Sequence, residues 1–374
     1  MPGGKKGKSG EFSGRDRDTL LDVGVDLSAE RPTFALVNDR VVVSEARGIT
    51  QKGLRLLSLH RAREEFGQVA DLSWKLVSPD RDEFTRRAHE ADADGYFIHV
   101  PAGTRLELPV QACFFIKLSG YTQTVHNLIL LDQGAELHIT NGCAIASYLD
   151  NGSHLGITEI YVGKGASLTY TMIHHWAEDV EVRPRTGARV EEGGTYISNY
   201  ISLRRARHVQ TSPVVELVGP GARTHLSSVI YAHAGSTYDV GGTVRLLARG
   251  TSAEISSRSV SDGGVSVAPS MLEANAPGVR GHVSCDGLML SDGGEIKALP
   301  SLVSHVQDAS LTHEAAVGRI SDEEMFYLTA RGLSPEQATS LIVRGFLSVR
   351  VPGIPPAVQA NIDRTMELIG EKGF

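Results

Sequence analysis

Cys285 stands in the run Gly281-His-Val-Ser-Cys-Asp-Gly287, and His313-Glu314 follow it at i+28 and i+29. A thiolate is a soft ligand, an imidazole nitrogen is intermediate and a carboxylate oxygen is hard. The three together are the donor types of an iron or zinc site. The spacing leaves a plainer reading open. A lone strand cysteine is most often a small buried hydrophobe, and neighbours such as His313 and Glu314 point to opposite faces of a strand. A second group is Cys143 with His174-His175-Trp176, where His174 stands at i+31 from Cys143. The histidine pair is either a ligand set or a pair of corner histidines. The chain has no GxxxxGK[ST] phosphate loop, no HExxH and no GxSxG. Cys113, Cys143 and Cys285 are three in number and form no CxxC pair. That supports neither a zinc ribbon nor a disulfide framework and points to a reducing compartment.

These spacings belong to a larger pattern that must position the residues. A turn residue, one or two small residues and then alternating apolar positions begin at Gly103, Gly134, Gly165, Gly193, Gly221, Gly250, Gly278 and Asp308. The successive intervals are 31, 31, 28, 28, 29, 28 and 30. Strand texture at that period, with no helical pattern between, predicts a parallel β-solenoid over 95–320. In such a fold each rung buries its inward side chains only against the rungs above and below. A β-sandwich, the rival architecture, turns roughly every 8–12 residues and does not repeat a small-residue corner at this longer period. On the solenoid reading one period carries Cys285 to His313 and Glu314, and Cys143 to His174.

The flanks differ. Residues 1–18 read as a flexible tail of Gly, Ser and opposed charges, and 19–94 as a small α/β region. That region has strands at Thr33–Val37 and Arg40–Val43, a helix over Gly53–Phe66, and a helix over Asp80–Ala91 with Ser78 as N-cap and Pro79 at its first position. Residues 321–374 read as a helical module. Ser321 and Ser334 each open a capping box, and Pro355-Pro356 precede a last amphipathic helix with Val358, Ile362, Met366 and Ile369. Of 374 residues 40 are glycine, and the net charge is −7. That charge argues against a nucleic-acid binder. The longest apolar runs are far too short to span a bilayer, and the polar N-terminus lacks a signal peptide's apolar run. The expectation is a cytoplasmic protein with neither membrane nor nucleic acid as partner.

The segment Leu311-Thr-His-Glu-Ala-Ala-Val-Gly-Arg-Ile-Ser, then Glu324-Met-Phe-Tyr-Leu-Thr-Ala-Arg-Gly-Leu-Ser-Pro-Glu-Gln-Ala and Ile342-Val-Arg-Gly-Phe, strongly resembles the SufB/SufD family. These are scaffold subunits of the SUF iron–sulfur cluster assembly machinery. The likeness is specific over about 282–350. It implies a right-handed parallel β-helix flanked by a small N-terminal region with helices and a C-terminal helical module. It implies a scaffold rather than an enzyme, building a transient iron–sulfur cluster where two scaffold subunits meet. Cys285, His313 and Glu314 match the family's cluster positions. Having all three, the chain looks more like SufB than SufD. Cys143 resembles a family cysteine that helps receive sulfur, and Trp176 a family tryptophan beside a proposed sulfur path. His174 stands where other members have Gln. The short N-terminus without a Cys-rich motif resembles a compact, archaeal-type member that pairs with itself through its terminal rungs. The C-terminal helices resemble the module that docks an ABC-type ATPase, SufC. Phe326, Tyr327, Leu341 and Phe346 would be its apolar surface, flanked by Arg331 and Arg344. The ATPase would handle the nucleotide, and a sulfur donor and apo-protein acceptors would complete the set of partners. Against this stand two other readings. One is a solenoid carbohydrate-active enzyme, but Glu191, Glu192 and Asp262 are too scattered for its acidic groove. The other is a structural adaptor for an ATPase with an inert Cys285.

Overall fold

Two features of the chain decide the architecture: alternation along each strand and a glycine at each corner. Gly103, Gly134, Gly165, Gly193, Gly221, Gly250 and Gly278 all have φ between 63° and 72°. In this left-handed region a Cβ is costly, which is why the repeat keeps glycine there. The computed structural model describes residues 11–46, 53–348 and 360.

The corners stack into a parallel β-solenoid of about eight turns. Its first sheet runs through Val110–Ile116, Glu136–Ile145, Ser167–His175, Thr195–Ser202, Arg223–His233, Ser252–Asp262, Val279–Met289 and Ala309–Arg319, each parallel to the next. The second begins with Tyr96–Val100, Thr122–Leu131 and Asn151–Val162. It then divides each rung into two short strands around Pro184, Pro213 and Gly241. At Pro184 and Pro213 the backbone offers no N–H to the ladder and the strand is interrupted there, whereas Pro269 and Pro300 sit within continuous strands. Full-length strands return with Val265–Ala274 and Glu295–Ser304. A continuous apolar core fills the interior from Phe34 and Tyr96 at one end to Val283 and Cys285 at the other.

Helices cover the outer faces. Helix α1 (Gly14–Asp22) lies over the early rungs of the first sheet, where Phe12, Leu20 and Val23 pack on Cys113, Phe115 and Ala144. Helices α2 (Leu59–Glu65) and α3 (Gln68–Leu72) bury Leu59, Ala62 and Val69 on Phe97 and Leu128 of the second sheet. Helix α4 (Glu83–Glu90) follows, with Ala88 against Ile157. Helix α5 (Asp322–Thr329) and helix α6 (Pro335–Leu347) form the C-terminal module, both with the expected serine capping boxes. Val343 and Leu347 of α6 join the apolar layer on the late rungs with Val260 and Leu288.

Several expectations for the flanks are corrected. The tail cannot extend to residue 18, because Ser13 caps α1 and Asp16 is buried with Lys117 Nζ at 2.9 Å. Strand Pro32–Val37 adds in parallel to the first rung, so this region is fused to the solenoid's end. The expected helix over 53–66 is strand to Ser58 and helix after it. Arg55–Ser58 pairs antiparallel with Tyr96–Val100, and a ladder available in the folded chain outweighs local helical spacing. The helix expected from Pro79 starts at Glu83. Ser78 instead makes a local turn by accepting from the Asp80 N–H, and Asp82 caps the helix reciprocally with Thr85. The last amphipathic helix, from Val358 to Ile369, lies outside the described residues apart from helical Ala360.

Candidate functional site

The strand Val279–Met289 is the last one covered on its inner face. Val283 and Cys285 point inward and are buried, while His282, Ser284 and Asp286 point outward. Burial is the main reason the Cys285 thiol is pushed above its usual range, with Asp286 adding to it. The next strand, Ala309–Arg319, is the final rung. Its inward positions include Leu311, His313, Ala315 and Val317, and among the described residues no further rung covers them.

Register revises the expectation that Cys285, His313 and Glu314 stand side by side. Across this last rung i pairs with i+30, so Cys285 faces Ala315, Ser284 faces Glu314 and Val283 faces His313. His313 therefore shares the inner face with Cys285, one rung on and two positions back. Glu314 is on the outer face, with Oε1 3.5 Å from Nε2 of His282. Among the described residues no three His, Cys, Asp or Glu side chains converge to hold a metal ion.

Inside the solenoid one inward column runs Asn141, Met172, Tyr200, Ser228, Ser257, Cys285. Cys143 lies beside its far end, two positions on from Asn141, fully buried, with Asn141 Nδ2 donating to its Sγ at 3.1 Å. Burial pushes the Cys143 thiol strongly upward, opposed only by that bond. The one-period spacing does pair Cys143 with His174 directly. His174 Nδ1 bonds the Tyr200 hydroxyl at 2.8 Å, and its ring lies 5.3 Å from that of Trp176. The two adjacent histidines are not one ligand set: His174 faces the interior, and His175 faces Asp22 of α1 at 3.4 Å. Cys113 is on the outer face beneath α1.

Sequence reasoning missed other interior groups. His154 is buried beside Trp176, with its Nδ1 2.9 Å from Gln123 Oε1. Tyr96 and Tyr170 join hydroxyls at 3.2 Å. The one signal for them is the period, since Gln123 and His154 also stand one repeat apart. Burial holds His154 down at about 3 and His174 well below the ordinary histidine range, so both imidazoles are neutral. His174 Nε2, Trp176 Nε1, the Tyr196 hydroxyl and Ser270 Oγ are buried without a hydrogen-bond partner among the described residues. A cavity bordered by Tyr170, Tyr196 and Tyr200 at one end and by Ser257 and Ser270 at the other occupies the middle rungs between the two cysteines. Its lining can donate hydrogen bonds without carrying net charge.

In the C-terminal module Phe326, Tyr327 and Leu341 are exposed. Phe346 is partly buried against the late rungs and serves the module's own attachment. Arg331 stacks on the Tyr327 ring at 3.5 Å, and Arg344 Nε donates to the Ser340 carbonyl. The scattered acids do not form a groove: Glu191 pairs with Arg189, Glu192 with Lys164, and Asp262 accepts from Tyr231. No helix among the described residues is long and apolar enough to cross a membrane.

Known proteins match this chain over nearly its whole length. A family model described as SUF system FeS cluster assembly, SufBD core domain, matches residues 114–346. An iron–sulfur cluster assembly SufBD family protein of Archaeoglobus fulgidus is 42% identical over 98% of each chain. A homologue of the same family from Methanothermobacter thermautotrophicus is 39% identical over 94% of this chain and 87% of its own. The iron–sulfur cluster assembly protein SufB of Bacillus subtilis is 31% identical over 86% of this chain and 69% of its own. With its parallel β-solenoid and its thiol under the open rung, the chain belongs to the SufBD family of iron–sulfur cluster assembly proteins.

Proposed function

We propose that this chain is a non-enzymatic scaffold that assembles a transient iron–sulfur cluster at the open end of its solenoid. A second copy completes the site, and a SufC-like ABC ATPase in the cytoplasm drives the assembly. The single observation that carries the reading is Cys285, inward on the last covered strand with His313 on the same face one rung on. Iron and sulfide are cargo here. Cys285 supplies the thiolate, His313 the imidazole and Glu314 a carboxylate from the other face. Three donors that do not converge within one chain call for a second set. Glu295–Ser304 and Ala309–Arg319 are long strands, each paired on one side only among the described residues. Long free edges favour pairing with another chain, and a two-fold axis there brings two sets of donors together.

Sulfur would enter at Cys143 and travel through the interior past His174 and Trp176. Five rungs of ~4.8 Å separate Asn141 from Cys285, roughly 24 Å along the column. Direct thiol-to-thiol transfer cannot cover that span, and the uncharged cavity of the middle rungs offers the route between. Exposed Phe326, Tyr327 and Leu341 form the surface for the ATPase, with Arg331 and Arg344 beside them. Phe326→Asp and Leu341→Asp should each abolish co-purification with a SufC-like protein without unfolding the solenoid. Retained binding would remove this docking role.

The decisive experiment is anaerobic reconstitution with iron and sulfide, followed by cluster absorbance. Cys285→Ser should lose the cluster almost entirely, because a hydroxyl is a poor soft ligand at nearly unchanged volume. Normal cluster formation by a folded Cys285→Ser chain would make the thiol an ordinary core residue.

A further inference from the structure

The outer face of the late rungs carries a groove containing His225, Glu254, His282 and Thr312. One local arrangement occurs twice there, built from lining residues together with the adjoining Ser256 and Glu314. His225 Nδ1 lies 3.5 Å from Glu254 Oε2, while its Nε2 is held by Ser256 Oγ at 3.2 Å. His282 Nε2 lies 3.5 Å from Glu314 Oε1, while its Nδ1 is held by Thr312 Oγ1 at 2.8 Å. Each imidazole thus has one nitrogen oriented by a hydroxyl and the other beside a carboxylate. Orientation of the non-ligating nitrogen is what metal-binding histidines require. A divalent first-row ion about 2.1 Å from each of two donors holds them ~3.4 Å apart at a tetrahedral angle. Imidazole nitrogen with carboxylate oxygen suits iron(II).

We propose that this groove is an iron(II) entry ladder. The His225–Glu254 pair is its outer step and the His282–Glu314 pair its inner step, so that iron reaches the assembly site from solvent while sulfur reaches Cys285 from the interior. The proposal rests on the assignment of Glu314 as an iron ligand. Strand alternation supplies the separation: His225, Glu254 and His282 occupy one outward column on successive rungs, and the Cys285 thiol lies on the opposite face of the same wall. Each pair offers two protein donors with water for the rest, which makes binding weak and exchangeable, as entry requires. Arg223 and Arg280 line the same groove. Their charge opposes a bare cation and keeps the affinity low.

The test is anaerobic equilibrium dialysis of the full chain with ferrous iron alone, before any sulfide is added. His282→Gln and Glu254→Gln should each weaken iron(II) binding about tenfold. Arg280→Gln should tighten it about twofold, the sign expected for removing a nearby positive charge. Wild-type affinity in folded His282→Gln and Glu254→Gln chains would overturn the ladder. His225→Gln provides the same comparison if His282→Gln does not fold. Adding sulfide afterwards separates the two ideas. A cluster that still forms on Cys285→Ser refutes the cluster assignment, while iron(II) affinities that fall in the groove variants uphold the ladder.

Discussion

At its N-terminal end the solenoid is roofed. Strand Pro32–Val37 continues the first sheet, Arg55–Ser58 continues the second, and Phe34, Tyr96 and Phe114 close the interior with ring centroids 5.8–6.3 Å apart. At the C-terminal end Glu295–Ser304 and Ala309–Arg319 continue the same two sheets, and nothing among the described residues covers them. Pro32–Val37, Tyr96–Val100 and Val110–Ile116 are buried on both faces, whereas Glu295–Ser304 alternates between half-buried and exposed positions. What separates them is the supply of covering elements. Residues 11–90 give the first rungs strands, helices and buried polar anchors, whereas α6 lies against the outer face of the late rungs with α5 beside it, and among the described residues neither covers the mouth. On the function proposed above, one end is stable alone and the other is finished by a partner.

The largest effect on stability is expected at the closed end. Glu159 is fully buried, its Oε2 accepting from the Trp74 N–H at 2.5 Å and from His126 Nε2 at 2.8 Å. Its Oε1 accepts from the N–H groups of Leu76 and Val77. One carboxylate thereby ties the 74–77 loop onto the second sheet. In Glu159→Gln one of those acceptors becomes an amide donor facing other donors. Leaving such groups unsatisfied in the interior costs about 3 kcal/mol. Thermal unfolding should show a clear drop in midpoint, and an unchanged midpoint would mean the roof is held by apolar packing alone.

A second, intermediate effect concerns the interior between the ends. The depressed His154 imidazole takes up its proton later than the unfolded chain does. Between the ordinary value of 6.5 and about 3 the unfolded state therefore binds the extra proton, and stability falls as pH falls. One such proton contributes a slope of about 1.4 kcal/mol per pH unit. His154→Gln can still donate to Gln123 and should remove about one proton's worth of slope between pH 6 and 4, read from urea midpoints. Parallel pH profiles for the variant and wild type would contradict the buried neutral imidazole.

The same contrast explains what can be read from sequence. The seven left-handed glycines make the period, and hence the rungs, legible, because each corner is decided by its own residue. Cys143 beside His174 follows from the period alone. The chemistry at the mouth does not. Rung length varies along the chain, and an error of one position moves a side chain to the other face. Such a slip separates the expected pairing of Glu314 with Cys285 from its observed place beside His282. The strand Arg55–Ser58 escapes a local reading because it exists only by pairing with Tyr96–Val100. The Glu159 anchor joins the second sheet to a loop far away in the chain, with no repeat to betray it.

The smallest effect on the isolated chain is expected at the open end, and there it sharpens the comparison most. Val317 is inward on the final rung yet 48% exposed. A lysine there can keep its ammonium in water while its stem lies along Gly287, its partner on the neighbouring rung. Substitutions at such exposed sites usually change stability by within about 0.5 kcal/mol, so Val317→Lys should leave the urea midpoint nearly unmoved. Its consequence should fall on association instead. Two copies meeting at their mouths would bring two lysines into an apolar contact, where desolvating the charges has no compensation. Sedimentation should find wild type as a dimer at micromolar concentration and Val317→Lys as a folded monomer. If Val317→Lys unfolds the solenoid, the final rung belongs to the monomer's core after all. If it remains a dimer, the copies meet somewhere other than the open end.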